Sequence, residues 1–178
     1  MKLSLAPSRY DSTTLWLHWL TALLVIEQWI GANTIDDFAK GWPRTAARSV
    51  HITLGVTLAV ILILRIFWRT TRGQSLPPPG PGILNILAKA VHYALYALLV
   101  VTVGAGIAFA LLRGDNWFGL FNLPTIEAGN KVLRHYVAET HEWGANLILC
   151  LAGLHALAAL FHQYVLKDGL LRRMMPSR

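Results

Sequence analysis

Apolar residues are concentrated in four long stretches of the chain, which polar connections separate. A helix rises about 1.5 Å per residue, and a hydrocarbon core of about 30 Å needs about 20 residues, so each stretch can cross a bilayer. The first stretch has neither the short core nor the small-residue exit of a cleaved signal peptide, so we expect it to be retained. The pattern predicts four transmembrane helices over residues 14–35, 49–68, 83–112 and 134–166.

The connections contain residues that end helices or lie at membrane surfaces. Gly41-Trp42-Pro43 lies in the first connection, and the second, from Arg69 to Gly82, holds prolines that predict an extended loop. The third runs from Arg113 to Arg134 and carries Trp117-Phe118, which is typical of an aromatic belt. We expect a single membrane domain over residues 1–178, an all-α bundle of four transmembrane helices.

The composition agrees with an integral membrane protein. Of 178 residues, 54% are hydrophobic and 14% are charged, and the mean hydropathy is +0.46, outside the usual soluble range. A single cysteine, Cys150, excludes a disulfide framework, a cysteine-rich metal site and covalent haem attachment. The net charge of +7 does not indicate nucleic-acid binding, because the basic residues lie beside the apolar spans.

Those basic residues predict the orientation of the bundle in the membrane. The leader, the second connection with its helix ends, and the tail hold most of the 16 Lys and Arg residues, against the two acids Asp11 and Asp168. Charges of both signs balance in the other two connections. The positive-inside rule therefore places both termini in the cytoplasm, which fits four spans.

Two histidines of the fourth span face the same way. The fourteen-residue step from His141 to His155 closes to within roughly 40° of four full turns at about 100° per residue. Their separation along the helix axis is about 21 Å. Ala145, Ile148 and Ala152 lie between them on the same face, which leaves room for flat, bulky groups. Histidines in an apolar helix are costly unless they serve a ligand, a relay or a partner.

The predicted topology gives each histidine of the spans a depth in the membrane. His18 and His155 belong to an inner level on the cytoplasmic side, and His51 and His141 belong to an outer level. Two axial histidines at each of two heights are the arrangement that two non-covalent haems require. The alternative is four scattered histidines in polar helix-end caps. Retaining four intramembrane histidines that pair by depth is costly, which favours haem.

The sequence resembles the bacterial cytochrome b561 family over nearly its whole length. The likeness rests on His18-Trp19, His51-x-x-x-Gly55, His141-Glu-Trp-Gly-Ala-Asn, Gly153-Leu-His155 and the tail from Lys167 to Pro176. It implies that His18 and His155 ligate an inner haem b, and that His51 and His141 ligate an outer one. It also implies a bundle in the bacterial inner membrane that passes electrons between a donor and a quinone. One activity of the family is superoxide oxidation with ubiquinone reduction.

Several arginines are candidates for binding anions. Arg65 follows His51 by fourteen residues and is predicted at the depth of the inner haem, where it can pair with a haem propionate. An anchor that reaches to the lipid headgroups is an equal alternative. Arg48 and Arg134 can pair with the outer haem or attract superoxide, although an ordinary interfacial role fits them better.

A second group of residues is predicted at the inner depth. His92 and His162, with Arg72 as a helper, can supply the hydrogen bonds and the proton route that a quinone needs. The alternative is interfacial histidines satisfied by water or a propionate. Gly106 lies on the helix face of His92, where it favours close helix packing or contact with a porphyrin edge.

Three functions are compatible with these features. The preferred one is an oxidoreductase that oxidises superoxide at the outer face and reduces ubiquinone, with membrane lipid and quinone as partners. The second is a haem-carrying membrane anchor that passes electrons from a partner dehydrogenase or hydrogenase to quinone. The third is a structural or transport bundle without haem, which a colourless protein would indicate.

Overall fold

The computed structural model describes residues 9–74, 76, 82–127 and 129–175 of the chain. Most of the polar leader, and the prolines of the predicted extended loop, lie outside the described residues. The described part contains four long helices and a two-stranded hairpin. The helices are α1 (Ser12–Thr34), α2 (Trp42–Thr71), α3 (Ile83–Arg113) and α4 (Lys131–Phe161), and the strands are β1 (Asn116–Trp117) and β2 (Phe121–Asn122).

Residues with known capping preferences define the helix ends. The Asp11 carboxylate accepts the backbone N–H of Thr14 and caps α1. Pro43 lies in the first turn of α2, where a missing N–H costs nothing. Gly114 adopts the left-handed conformation that closes α3 (φ 61°). The Asn130 side chain caps α4.

The helices form a bundle in which α1 packs on α2, α2 on α3, and α3 on α4. Contacts between α4 and α1 are sparser. Leu58 on α2, Leu99 on α3 and Ile148 on α4 are buried at mid-height. Each of these three residues lies seven positions from a candidate functional residue on either side of it along its own helix. An apolar layer therefore separates the two predicted histidine levels.

Most of the apolar surface points outward, as expected of a protein that is solvated by lipid. Leu23 and Leu157, for example, are each 63% exposed. All four helices are long and apolar enough to cross a membrane. The predicted all-α architecture with four membrane-spanning helices is therefore confirmed.

The chain departs from the simple picture of four helices and loops at two places. The hairpin lies in the third connection, where Trp117 donates to the Thr53 hydroxyl of α2 (3.0 Å). Beyond Phe161, α4 continues as a π-helix, His162–Leu166, followed by the 3₁₀-helix Leu171–Met174. Neither feature has a signal in the hydrophobic pattern of the sequence.

The first and last described residues meet at one end of the bundle. The Trp19 indole donates to the Met174 carbonyl (2.8 Å), and the Tyr10 N–H donates to the Arg173 carbonyl (3.2 Å). We call this end the inner end and the end that carries the hairpin the outer end.

Candidate functional site

The outer pair of candidate ligands consists of His51 on α2 and His141 on α4. Their imidazole ring centres lie 6.2 Å apart, and the ring planes are nearly perpendicular, at 87°. Both side chains are partly buried in the bundle. Two helices that are distant in sequence therefore present one imidazole each towards a common point.

The inner pair repeats this geometry at the opposite end. The rings of His18 on α1 and His155 on α4 have centres 6.4 Å apart, at an interplanar angle of 74°. Both side chains are again partly buried. The two pairs use different helices, α1 with α4 and α2 with α4, so α4 contributes to both.

These separations fit a single metal ion between the two rings of each pair. A metal–imidazole nitrogen bond of roughly 2 Å on each side places the two ring centres roughly 6 Å apart. Among the described residues, no group of three or more His, Cys, Asp or Glu side chains is arranged to hold a metal ion. Two imidazoles do, however, match the two axial positions of a haem iron, whose other ligands come from the porphyrin.

The protonation of His141 is fixed by the backbone of α3. Its Nδ1 atom lies 2.8 Å from the Thr102 carbonyl oxygen, which can only accept. The proton is therefore on Nδ1, and Nε2 keeps the lone pair that coordination requires. Gly106 makes room for the ring, because a methyl group at this position would lie 2.7 Å from the His141 Cε1 atom. The side chain that packs against Gly106 is thus the imidazole of His141.

The environment of His51 leaves one nitrogen without a partner. Its Nδ1 atom is shielded from solvent and makes no hydrogen bond to any described residue. Its backbone carbonyl accepts from the Gln28 side chain (3.1 Å), which holds this turn of α2 against α1. A shielded nitrogen without a partner is costly in an apolar bundle, so this imidazole is suited to a ligand.

Arg65 reaches the inner pair. Its Nη2 atom lies 2.9 Å from the His18 Nδ1, and its guanidinium lies over the Tyr96 ring, 5.2 Å from the centroid. Among the described residues, Arg65 makes no ion pair with a carboxylate, so its charge is available to an anionic ligand at this level. Tyr96 was not predicted, because one tyrosine in an apolar span gives no signal of its role.

The three predicted quinone residues are not brought together by direct contacts. The His92 ring lies 5.0 Å from the His155 ring, and its Nδ1 contacts the Ala88 carbonyl (2.6 Å). His162 instead donates to the Asp168 carboxylate (2.5 Å), and this bond lowers the pKa of Asp168. No hydrogen bond or ring contact joins His92 to His162 within the described ranges, and Arg72 is exposed.

A charged cluster lies at the outer end, beside the hairpin. The Asp115 carboxylate lies 3.1 Å from Arg113 and 3.8 Å from Arg48. Burial raises the pKa of Asp115 above its ordinary value, although both arginines act in the opposite direction. Arg134, the other arginine predicted here, is exposed. Arg113 and Asp115 were missed, since their helix-end position looked like ordinary interfacial charge.

Buried Ser49 positions the outer cluster relative to α2. Its hydroxyl contacts the carbonyls of Thr45 (2.8 Å) and Asn116 (3.2 Å), and it accepts the N–H of Phe118 (2.8 Å). Because Ser49 lies two residues before His51, these bonds fix the hairpin to α2 at about the height of the outer histidine pair.

Comparisons with known proteins cover nearly the whole chain. A Yersinia pestis protein described as probable superoxide oxidase CybB is 35% identical over 174 residues, 96% of this chain and 97% of that protein. Cytochrome b561 homolog 1 of Escherichia coli strain K12 is 31% identical over 96% of this chain and 99% of its own length. Cytochrome b562 of Cereibacter sphaeroides is 30% identical over 95% of this chain and 96% of that protein.

The family described as prokaryotic cytochrome b561 matches residues 9–177. This match and the resemblance of the histidine motifs agree with each other, and the four membrane-spanning helices suit a membrane cytochrome. The chain therefore belongs to the prokaryotic cytochrome b561 family, and it is a multi-pass bacterial membrane cytochrome that binds b-type haem and transfers electrons.

Proposed function

We propose that the chain binds two b-type haems and carries electrons from superoxide at the outer end to ubiquinone at the inner end. His51 and His141 hold the outer haem, and His18 and His155 hold the inner one. The observation that carries this proposal is the spacing of the ring centres, 6.2 Å and 6.4 Å, which suits one iron in each pair.

A haem held between the two imidazoles of each pair would supply a one-electron redox centre without an open site for oxygen, and the four histidines are the residues that would hold the two haems. The protein residues position the imidazoles, and at His141 they also fix the protonation. At the outer pair, the Thr102 carbonyl keeps the His141 Nε2 free of a proton. At the inner pair, Arg65 is the residue that pairs with a propionate, since a guanidinium and a carboxylate form strong, charge-assisted hydrogen bonds.

Superoxide is a small anion, and the outer end presents a net positive cluster. Arg48 and Arg113 outnumber their partner Asp115, and Arg134 adds a further exposed charge nearby on α4. Such a cluster raises the local concentration of an anion and its rate of encounter. Each superoxide gives up one electron and leaves as dioxygen, so this half-reaction needs no proton. The similarity to a protein described as a probable superoxide oxidase supports this donor.

Ubiquinone needs two electrons and two protons to become ubiquinol, so two superoxide ions reduce one quinone. His92 is exposed on α3 and lies beside His155, so a quinone in the lipid can approach it next to the inner pair. His162, bonded to Asp168, lies at the same end and supplies the proton route from the aqueous side, with the cation of Arg72 as a helper. This end faces the cytoplasm, and the bundle lies in the bacterial inner membrane.

The decisive experiment uses the purified full-length chain in mild detergent. We expect two haems per chain, and ubiquinol formation when superoxide is generated enzymatically beside added ubiquinone. Alanine variants of His18, His51, His141 and His155 should each lose one haem. A protein that reduces quinone only with a co-purifying dehydrogenase or hydrogenase would instead be a membrane anchor subunit, and a colourless protein would rule out both functions.

A further inference from the structure

The segment after α4 folds back on itself. The π-helix His162–Leu166 is followed by Lys167 in the left-handed conformation (φ 56°). Gly169, also at positive φ (72°), then turns the chain into the 3₁₀-helix Leu171–Met174. π-helical turns are rare and frequently lie at functional sites. The fold-back borders an open depression of about 290 Å³ lined by Gln163, Tyr164, Lys167, Gly169 and Arg172.

The lining combines two cations with an amide that lacks a partner. The Gln163 Oε1 atom is shielded from solvent and makes no hydrogen bond to any described residue. Lys167 and Arg172 form no ion pair with an acid in the described part of the chain. The acid nearest in sequence, Asp168, is engaged by His162 and by the N–H of Leu170. The depression is therefore electropositive and has hydrogen-bonding capacity to spare.

The depression lies at the depth of lipid headgroups. It begins within the last residues of the final membrane-spanning helix, which ends at Leu166. Tyr164 is 70% exposed, and tyrosines are enriched where acyl chains meet the polar headgroups. Basic pockets at this depth bind anionic lipid headgroups.

We propose that this depression binds the phosphate group of an anionic glycerophospholipid from the leaflet nearest the chain termini. Lys167 and Arg172 pair with the phosphate, and the Gln163 Oε1 atom accepts a hydrogen bond from a hydroxyl of the headgroup. The Tyr164 ring packs against the glycerol and the first methylene groups. Free phosphate shares the anionic chemistry but lacks the apolar part that Tyr164 would contact.

The test is lipid binding to the haem-containing full-length chain by native mass spectrometry, with phosphatidylglycerol and phosphatidylcholine titrated separately. The variant Lys167→Gln/Arg172→Gln should bind phosphatidylglycerol about twenty-five-fold more weakly, since each of the two interfacial cations contributes about fivefold. The matched control, Arg9→Gln/Lys89→Gln, removes the same charge at the same end outside the depression. An equal loss in both variants would overturn the site in favour of general surface charge.

A second variant keeps the charges and removes the amide. Gln163→Leu should weaken phosphatidylglycerol binding about fivefold and leave phosphatidylcholine binding unchanged, as expected for one lost hydrogen bond. Unchanged phosphatidylglycerol binding would contradict the role of Gln163. Inorganic phosphate at the same concentration should not displace the lipid, and full displacement would show that the site takes the free anion instead.

Discussion

The Nδ1 atom of His141 lies 2.8 Å from the carbonyl oxygen of Thr102, on the neighbouring helix. In an α-helix this carbonyl points along the axis towards residue 106, four positions later. Because residue 106 is glycine, the imidazole can approach the carbonyl from the side. One missing side chain on α3 therefore sets both the position and the tautomer of a candidate ligand on α4.

Gly106→Ala is predicted to disturb the outer haem selectively. The new methyl group would lie 2.7 Å from the His141 Cε1 atom and 2.9 Å from Nδ1, so the ring must move and lose its bond to Thr102. We expect the haem content to fall from two towards one per chain, measured by absorbance against protein concentration.

Gly104→Ala is the matched control for this prediction. A methyl group at position 104 would contact no other atom within 4 Å, and this glycine lies one half-turn away on the same helix. It should retain both haems. Equal haem content in the two variants would contradict the role given to Gly106.

Arg65→Gln is predicted to lower the reduction potential of the inner haem. A nearby positive charge disfavours the more positive, oxidised iron, so removing the charge stabilises the oxidised state. We expect a shift of roughly 60 mV, equivalent to a tenfold change for a one-electron couple. A spectroscopic redox titration measures it.

Two further variants separate charge from packing at this level. Arg65→Lys retains the charge and should restore most of the potential. Arg69→Gln removes a charge one turn later, where the side chain contacts Gln74 and Tyr10 instead of a histidine. A shift of the same size in Arg69→Gln would show that the effect is not local to the inner pair.

The sequence predicted the four helices because lipid imposes a simple rule, that each span must be long, apolar and internally hydrogen-bonded. It also predicted which histidines meet, since the fourteen-residue steps fix both depth and face along one helix. The rings of His51 and His141, which the sequence places at one depth, have centres 6.2 Å apart, and their role as ligands of one haem stays a prediction.

Contacts that depend on how a helix is rotated, or on backbone atoms, could not be predicted from the sequence. The Thr102 carbonyl is present in any sequence, so nothing distinguished it as the partner of His141. The contact between His162 and Asp168 spans the π-helical turn, and nothing in the hydrophobic pattern predicts this irregular backbone.

Asp11→Ala is predicted to destabilise the inner end of the bundle. The Asp11 carboxylate accepts from Thr14, the Trp68 indole (2.9 Å) and the Gln74 N–H (3.3 Å), so it joins α1 to the end of α2. Loss of the cap alone costs about 1 kcal/mol. Thermal unfolding in detergent measures the effect, and Asp36→Ala, at an exposed carboxylate, should cost less.

The same carboxylate predicts a dependence of stability on pH. Burial opposes ionisation of Asp11, but the bonds from Thr14, Gln74 and Trp68 outweigh it and lower the pKa to about 2 from 3.8. A lowered folded-state pKa gives stabilisation that is complete above pH 3.8 and is lost as the pH falls towards about 2. The stability difference between the protein and Asp11→Ala should therefore shrink over this interval.

The outer cluster predicts opposite effects of opposite charge changes on the rate of haem reduction by superoxide. Arg48→Gln removes a cation beside Asp115, and Asp115→Asn removes the anion that partly neutralises Arg48 and Arg113. We expect the first to slow the reaction about threefold at low salt and the second to accelerate it, because the local field attracts the anion. Both effects should fade near 1 M salt, where the screening length is about 3 Å.

Stopped-flow absorbance measures the rates, and Arg9→Gln, at the inner end, is the control. A slower rate in both cluster variants would show that they act through the structure of the hairpin and not through charge.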